Sequence, residues 1–229
     1  METSRLQGRG RWRTLYPERM AEKDSRDLLL FDLGGVLVEY TGLSDIRSLL
    51  SRPLTDEELR QLVAATSECW ASFECGALTP EAFAEGFAAV WPLALGREAF
   101  LAEFETWTRR LLPGAEALLA RLRRRYRLAA LSNSNALHWR RTCQVLGVDS
   151  LFERAFASHE LGVRKPAREA YELVLRELSA PAGRTTFFDD VEENVEAARA
   201  VGMRAYRVRG VDELQRCLRE LGMLDASGA

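Results

Sequence analysis

What most constrains the fold is a strict alternation, from Pro113 onward, of short apolar runs with segments of helical period. Residues 114–125 read as a helix, 127–132 (RLAALS) as a strand and 136–146 as a helix. A short strand near 153–157 precedes a helix over 167–179. The run 184–189 (RTTFFD) precedes a helix over 192–201, and 203–208 (MRAYRV) precedes one over 211–221. Strands separated by helices pair in parallel, because each crossover is long enough to return the chain to the same edge. Such a sheet is covered by helices on both faces, so its strands are apolar along their whole length. An earlier run, Leu28-Leu29-Leu30-Phe31-Asp32, ends in a carboxylate, leads into Gly34-Gly35, and reads as one more buried strand.

Between that strand and the alternating region the chain is helical. SDIRSLL, TDEELRQLVAATSECWASF, TPEAFAEGFAAVW and GREAFLAEFETWTRRLL each space apolar residues by three and four. Thr55 with Glu58 has the capping-box pattern, and Thr79-Pro80-Glu81 is a second helix start. The expected organisation is therefore an α/β core made of 28–43 and 113–229, interrupted by an all-helical segment over 44–112. Residues 1–27 are polar, arginine-rich and without period; they read as a disordered tail, with Met20 as an alternative start.

Composition narrows the function classes. Of 229 residues 47% are hydrophobic, enough to build a core, which excludes a disordered chain. A net charge of −2 provides no basic field, so neither nucleic acid nor an anionic membrane is expected as a partner. No run reaches the roughly 18 to 20 apolar residues of a membrane helix. Cys69, Cys75, Cys143 and Cys217 are scattered, and two histidines do not complete a zinc cage, so reduced thiols in the cytoplasm are expected. A monomer and a homodimer both fit. Among 32 basic residues only Lys23 and Lys165 are lysines, which makes their positions informative.

Ligands of doubly covered parallel sheets bind beyond the carboxyl ends of the strands, where the strand order reverses. The polar residues expected at those ends are Asp32, Ser132, Asp189 and Asp190, with Lys165 in the loop before a helix. Each has an ordinary reading. Asp32 could cap a turn, Ser132-Asn133-Ser134-Asn135 could cap a helix, and Lys165 could be solvated. Two adjacent carboxylates at the end of a buried strand are harder to dismiss, because they repel unless a cation or hydrogen bonds offset them. A hard divalent cation such as Mg²⁺ is held by one or two carboxylates with carbonyls, water and substrate phosphate.

In the order FDLGGVL, LSNSN, GVRKP and FFDDVEENVEAARAVG, the chain resembles the haloacid dehalogenase superfamily of hydrolases over roughly residues 28–209. The resemblance implies a Rossmann-like α/β core, with 44–112 as the helical cap that closes over the site. The first motif, Asp-Leu-Gly, is similar to that of the small sugar-phosphate phosphatase branch. By resemblance Asp32 is the nucleophile that forms an aspartyl-phosphate. Ser132 and Lys165 hold the transferring phosphoryl group with help from Asn133, and Gly34 and Gly35 belong to the phosphate-binding loop. Mg²⁺ is taken by Asp32, the Gly34 carbonyl and Asp190, with Asp189 at or near it, and Asn194 positions the Asp189-Asp190 loop. The implied activity is Mg²⁺-dependent hydrolysis of a small phosphorylated metabolite, a sugar phosphate being one candidate.

One position departs from the pattern. Most phosphatases of this superfamily carry a second aspartate two residues after the nucleophile as general acid and base, and here that residue is Gly34. A positioned general acid contributes about 10²- to 10⁴-fold. Its loss favours activated leaving groups, such as glycosyl, acyl or aryl phosphates. Glu74, in the Phe73-Glu74-Cys75-Gly76 turn, reads as a brace of the cap helix, with a replacement acid as the alternative. Two rival readings follow from Gly34. One is a 2-haloacid dehalogenase, which needs neither that acid nor a metal and would gain nothing from Asp189-Asp190. The other is a weakly active or non-catalytic binding protein. His138, Trp139 and His159 read as surface or loop packing, and Trp70, Phe83, Phe87 and Trp91 as the cap's core.

Overall fold

The structure, a computed structural model, describes residues 25–225. The tail and the start at Met20 expected over residues 1–24 lie outside the described residues. Residues 25–27, expected to close the tail, belong to the fold instead. Arg184 Nε donates to Asp27 Oδ1 at 2.7 Å, and Arg26 Nη1 donates to the Arg123 carbonyl at 3.0 Å.

The elements in chain order are β1 (Leu28–Phe31), β2 (Val38–Tyr40), α1 (Asp56–Glu74), α2 (Pro80–Ala88), α3 (Arg97–Glu105), β3 (Thr108–Leu111), α4 (Ala115–Leu122) and β4 (Arg127–Ser132). They continue with α5 (Ala136–Arg140), β5 (Arg154–Ala157), α6 (Ser158–Leu161), α7 (Arg168–Glu177), β6 (Thr185–Asp189), α8 (Glu192–Ala200), β7 (Arg204–Arg207) and α9 (Gly210–Glu220). Five strands form one parallel sheet in the order β5-β4-β1-β6-β7, the α/β architecture that the alternation implies.

Strand geometry explains the two helical layers. Successive side chains of β1 point to opposite faces. Leu29 and Phe31 pack with Leu118 and Leu119 of α4 and Leu214 and Leu218 of α9. Leu28 and Leu30 pack with Tyr171 and Val174 of α7 and Val195 and Ala198 of α8. All four β1 side chains are buried, each contributing roughly 1.5–3 kcal/mol. The chain leaves β1 for β4 and β5 on one side and returns to β6 and β7 on the other, so its direction reverses between β1 and β6. Phe31 pairs with Phe188, which brings Asp32 and Asp189 side by side at that reversal.

The helical segment has its own core, in which Phe73 stacks on Phe83 at 4.4 Å and Phe87 on Trp91 at 5.0 Å. Leu137 of α5 belongs to the same cluster, so the segment rests on the α/β core through α5. Both helix starts read from the sequence are capped: Glu58 N donates to Thr55 Oγ1 at 3.2 Å and Ala82 N to Thr79 Oγ1 at 3.2 Å. Three local expectations are corrected. SDIRSLL folds as two short 3₁₀ turns, Gly42–Ser44 and Ile46–Leu49. The helix expected to run to Leu112 stops at Glu105, and Thr108–Leu111 becomes β3, antiparallel to β2. Its helical period is overridden because the entry and exit of the segment are hydrogen-bonded to each other. The helix expected over 136–146 is α-helical only to Arg140 and continues as a π turn, Arg141–Val145.

Candidate active site

The β2–β3 ribbon and the end of α1 overhang the carboxyl ends of β1, β4 and β6, enclosing a cavity of about 300 Å³. Its walls include Asp32, Gly34, Gly35, Ser132, Asn133, Lys165, Asp190 and Asn194 from the expected set, with Tyr40, Glu74, Thr108, His138 and Thr142 beside them.

Lys165 is the hub. Its Nζ donates to Asp32 Oδ1 at 2.6 Å and to Asp189 Oδ2 at 2.7 Å, joining positions 133 and 24 residues apart in the chain. The lysine is 1% exposed, which is tolerable for an ammonium only because two carboxylates face it. Burial works against its charge, yet Asp32 and Asp189 outweigh it and its pKa is raised. Burial pushes Asp32 above the ordinary carboxylate range; Lys165 opposes this, and Asp189 and Asp190 add to it. At 2.6 Å the two shifts describe one ion pair, and we read it as charged on both sides.

The LSNSN segment divides its labour. Ser132 lines the cavity. Asn133 is spent on the lysine loop: its Nδ2 donates to the Lys165 carbonyl and its Oδ1 accepts from Lys165 N, both at 2.9 Å. Its side chain therefore positions Lys165, leaving the backbone as its route to a phosphoryl oxygen. Asn135 Oδ1 caps α5, accepting from Leu137 N and His138 N at 3.1 Å.

The two terminal aspartates differ in freedom. Asp189 is enclosed by donors: Val191 N at 2.8 Å, Asn194 Nδ2 at 3.0 and 3.1 Å, and Lys165. The Asp190 carboxylate has Arg209 Nε at 4.0 Å from Oδ2 and its carbonyl accepts from Arg207 Nε at 3.0 Å; burial followed by the nearby Asp189 raises its pKa, with Arg209 and Lys165 opposing. Gly35 is a glycine for cause: at φ +77° a Cβ there would lie 2.7 Å from Asp190 Oδ2. Asp32, Asp189 and Asp190 each offer a carboxylate oxygen, all within 4.8 Å of one another. Three formal negative charges against one ammonium leave the cluster at −2. An all-oxygen donor set with that excess fits a hard divalent cation such as Mg²⁺.

His138 and Trp139, expected as surface or loop packing, are 5% and 9% exposed. His138 ties the segment to the core, with Nε2 at 2.8 Å from the Phe104 carbonyl. Tyr40, Thr108 and Thr142 are cavity residues that no signal in the sequence marks, since their approach depends on how the segment docks. Among the described residues the four cysteines are unpaired, and no helix is long and apolar enough to cross a membrane.

Comparison with known proteins identifies the family of the chain. A family model described as haloacid dehalogenase-like hydrolase matches residues 26–202. A sesquiterpene phosphatase, astK of Aspergillus oryzae, is 31% identical over 192 residues, covering 82% of this chain and 92% of the relative. D-ribitol-5-phosphate phosphatase of Bacteroides thetaiotaomicron is 22% identical over 189 residues, covering 78% and 90%. The fold is similar to that of the HAD family enzyme bt-2542 from Bacteroides thetaiotaomicron, crystallised with magnesium and inorganic phosphate. That match has a TM-score of 0.61 at 24% identity, covering 80% of this chain and 94% of the other.

Proposed function

Because the chain belongs to the haloacid dehalogenase-like hydrolases, we propose that it is a magnesium-dependent phosphatase that cleaves a small phosphomonoester through an aspartyl-phosphate on Asp32. The observation that carries this reading is the convergence of Asp32, Lys165 and Asp190 on one cavity at the strand reversal, with Asp189 fully buried and bonded to Lys165. The phosphatase names of two relatives support the same reaction class.

The residues divide the work as follows. Asp32 attacks phosphorus through a carboxylate oxygen, and the bond from phosphorus to the ester oxygen breaks. Lys165, already set between two carboxylates, turns an N–H toward the phosphoryl oxygens, and Ser132 donates to another. Asn133 and Asn194 hold Lys165 and Asp189 in place through the bonds described above. Mg²⁺, held by Asp32, the Gly34 carbonyl and Asp190 with Asp189 beside them, would supply charge neutralisation for the phosphoryl oxygens. Water then attacks phosphorus, releasing inorganic phosphate and restoring the Asp32 carboxylate. The helical segment acts as a cap that excludes bulk water and shapes the substrate's remainder. The reading places the enzyme in the cytoplasm, with the unpaired cysteines in support.

A phosphate-release screen with Mg²⁺ tests it, using sugar phosphates, polyol phosphates and isoprenoid monophosphates, with Asp32→Asn as the control. The expected result is release that vanishes in Asp32→Asn and on chelation. Failure of every ester to give Asp32-dependent release overturns the proposal, as does halide release from a 2-haloacid without metal.

A further inference from the structure

An alkoxide is a poor leaving group, so phosphomonoester cleavage gains about 10²- to 10⁴-fold from a positioned acid. The titratable side chains lining the cavity are Asp32, Tyr40, Glu74, His138, Lys165 and Asp190. Asp32 and Asp190 belong to the carboxylate cluster and Lys165 is held by it. Both ring nitrogens of His138 are engaged, one with Asn135 and one with the Phe104 carbonyl. Tyr40 has its hydroxyl driven far above the ordinary phenol range, by burial and then by the charge of Glu74. Although Tyr40 is 38% exposed as a whole residue, the surrounding protein still desolvates that hydroxyl. Glu74 is the acid that remains.

Its placement is built rather than incidental. Glu74 is the last residue of α1, where the cap meets the core. Ser158 Oγ donates to the Glu74 carbonyl at 2.6 Å and accepts from Ser134 N at 2.9 Å, so the helix end is fastened to the loop that follows Ser132. The next turn packs so tightly that a Cβ on Gly76 would lie 2.4 Å from the His159 carbonyl oxygen. The Glu74 side chain keeps 12% of its surface open, and its Oε1 accepts from Trp70 Nε1 at 3.0 Å. Its Oε2 is buried without a hydrogen bond, the Arg164 guanidinium lying at 3.3 Å but unaligned for one. Burial raises the Glu74 pKa, with Arg164, Trp70 and Lys165 opposing. Position 34 opens on the same cavity: Gly34, Tyr40 and Glu74 all line it, and a Cβ on Gly34 would lie 3.7 Å from Tyr40 Cβ.

We propose that Glu74, delivered by the cap, is the general acid and base of this site in place of a carboxylate at position 34. The role rests on the phosphatase reading above. As the bond from Asp32 to phosphorus forms and the ester bond breaks, the Glu74 carboxyl passes its proton to the departing oxygen. The resulting carboxylate then takes a proton from the water that attacks phosphorus, as the bond from phosphorus to Asp32 breaks. The acid returns and the cycle closes without a co-reactant. With an acid in this position, the preference for activated leaving groups expected from Gly34 alone lapses.

The test is a leaving-group series on the full chain with Mg²⁺, from p-nitrophenyl phosphate to a primary alkyl phosphate, for wild type, Glu74→Gln and Glu74→Gln/Gly34→Asp. Glu74→Gln, which keeps the acceptor for Trp70, should lower kcat on the alkyl ester by about 10²- to 10⁴-fold and far less on the aryl ester. Gly34→Asp in that background should recover part of the alkyl activity, since the added Cβ meets only ordinary contacts. Glu74→Asp, with the acid retained, should fall between wild type and Glu74→Gln. Equal losses on both esters, or none on either, overturn the role of Glu74 while leaving the phosphatase reading intact. Absence of Asp32-dependent release in wild type overturns the phosphatase reading itself.

Discussion

Acid should loosen the joint between cap and core at a single histidine. Asn135 Oδ1 already accepts from two backbone amides, so its amide nitrogen faces His138 Nδ1 at 2.9 Å and must be the donor. Nδ1 therefore carries no proton, and Nε2–H donates to the Phe104 carbonyl of α3 at 2.8 Å. Protonating Nδ1 would set two donors against each other in a buried site. Burial accordingly lowers the His138 pKa from 6.5 to about 4, with the Phe104 carbonyl and Glu105 opposing. The sign follows from proton counting. The unfolded chain takes up this proton near pH 6.5 and the folded chain near 4, so the unfolded state holds more protons between those values. Stability should fall as pH drops through that window and lose nothing more from His138 below it. At about 1.4 kcal/mol per unit the whole window is worth about 3 kcal/mol, an upper figure for one site. Urea unfolding at pH 7, 6, 5 and 4, for wild type and His138→Gln, measures it. Carboxylates titrate in both proteins, so the readout is the difference between their slopes. The variant should lose about 3 kcal/mol less than wild type across the window; parallel curves would refute the argument.

Other substitutions probe the site piece by piece. Lys165→Ala should abolish phosphate release and destabilise the metal-free protein by about 3–5 kcal/mol, because it strands Asp32 and Asp189 in the interior; denaturant titration reads the loss. Gly35→Ala should leave the fold intact but displace Asp190, so that calorimetric Mg²⁺ binding weakens by tenfold or more, about 1.4 kcal/mol. Thr55→Ala removes the reciprocal cap of α1 and should cost about 1 kcal/mol of stability, read by denaturant titration, with turnover unchanged.

The residues of the α/β core were legible because their physics is local. An apolar run such as Leu28–Phe31 needs two covering layers, and the helices that provide them carry their own period. The strand-end positions of Asp32, Ser132 and Asp189 followed from the same pattern. The period of Thr108–Leu111 points to a helix because pairing with Val38–Tyr40 is a contact across the whole helical segment, which no local period records.

What the linear chain determined alone was therefore the sheet, its layers and which polar groups stand at its edge, since period and strand length act within a few residues. Only the folded chain decided the rest. Lys165 reaches two carboxylates at once, Asn133 serves the lysine through its side chain, and Glu74 and Tyr40 line the same cavity as Gly34 because the cap is fastened there by Ser158 and His138. Those are encounters between residues far apart in sequence, and their geometry is set by packing, which exists only once the layers have closed.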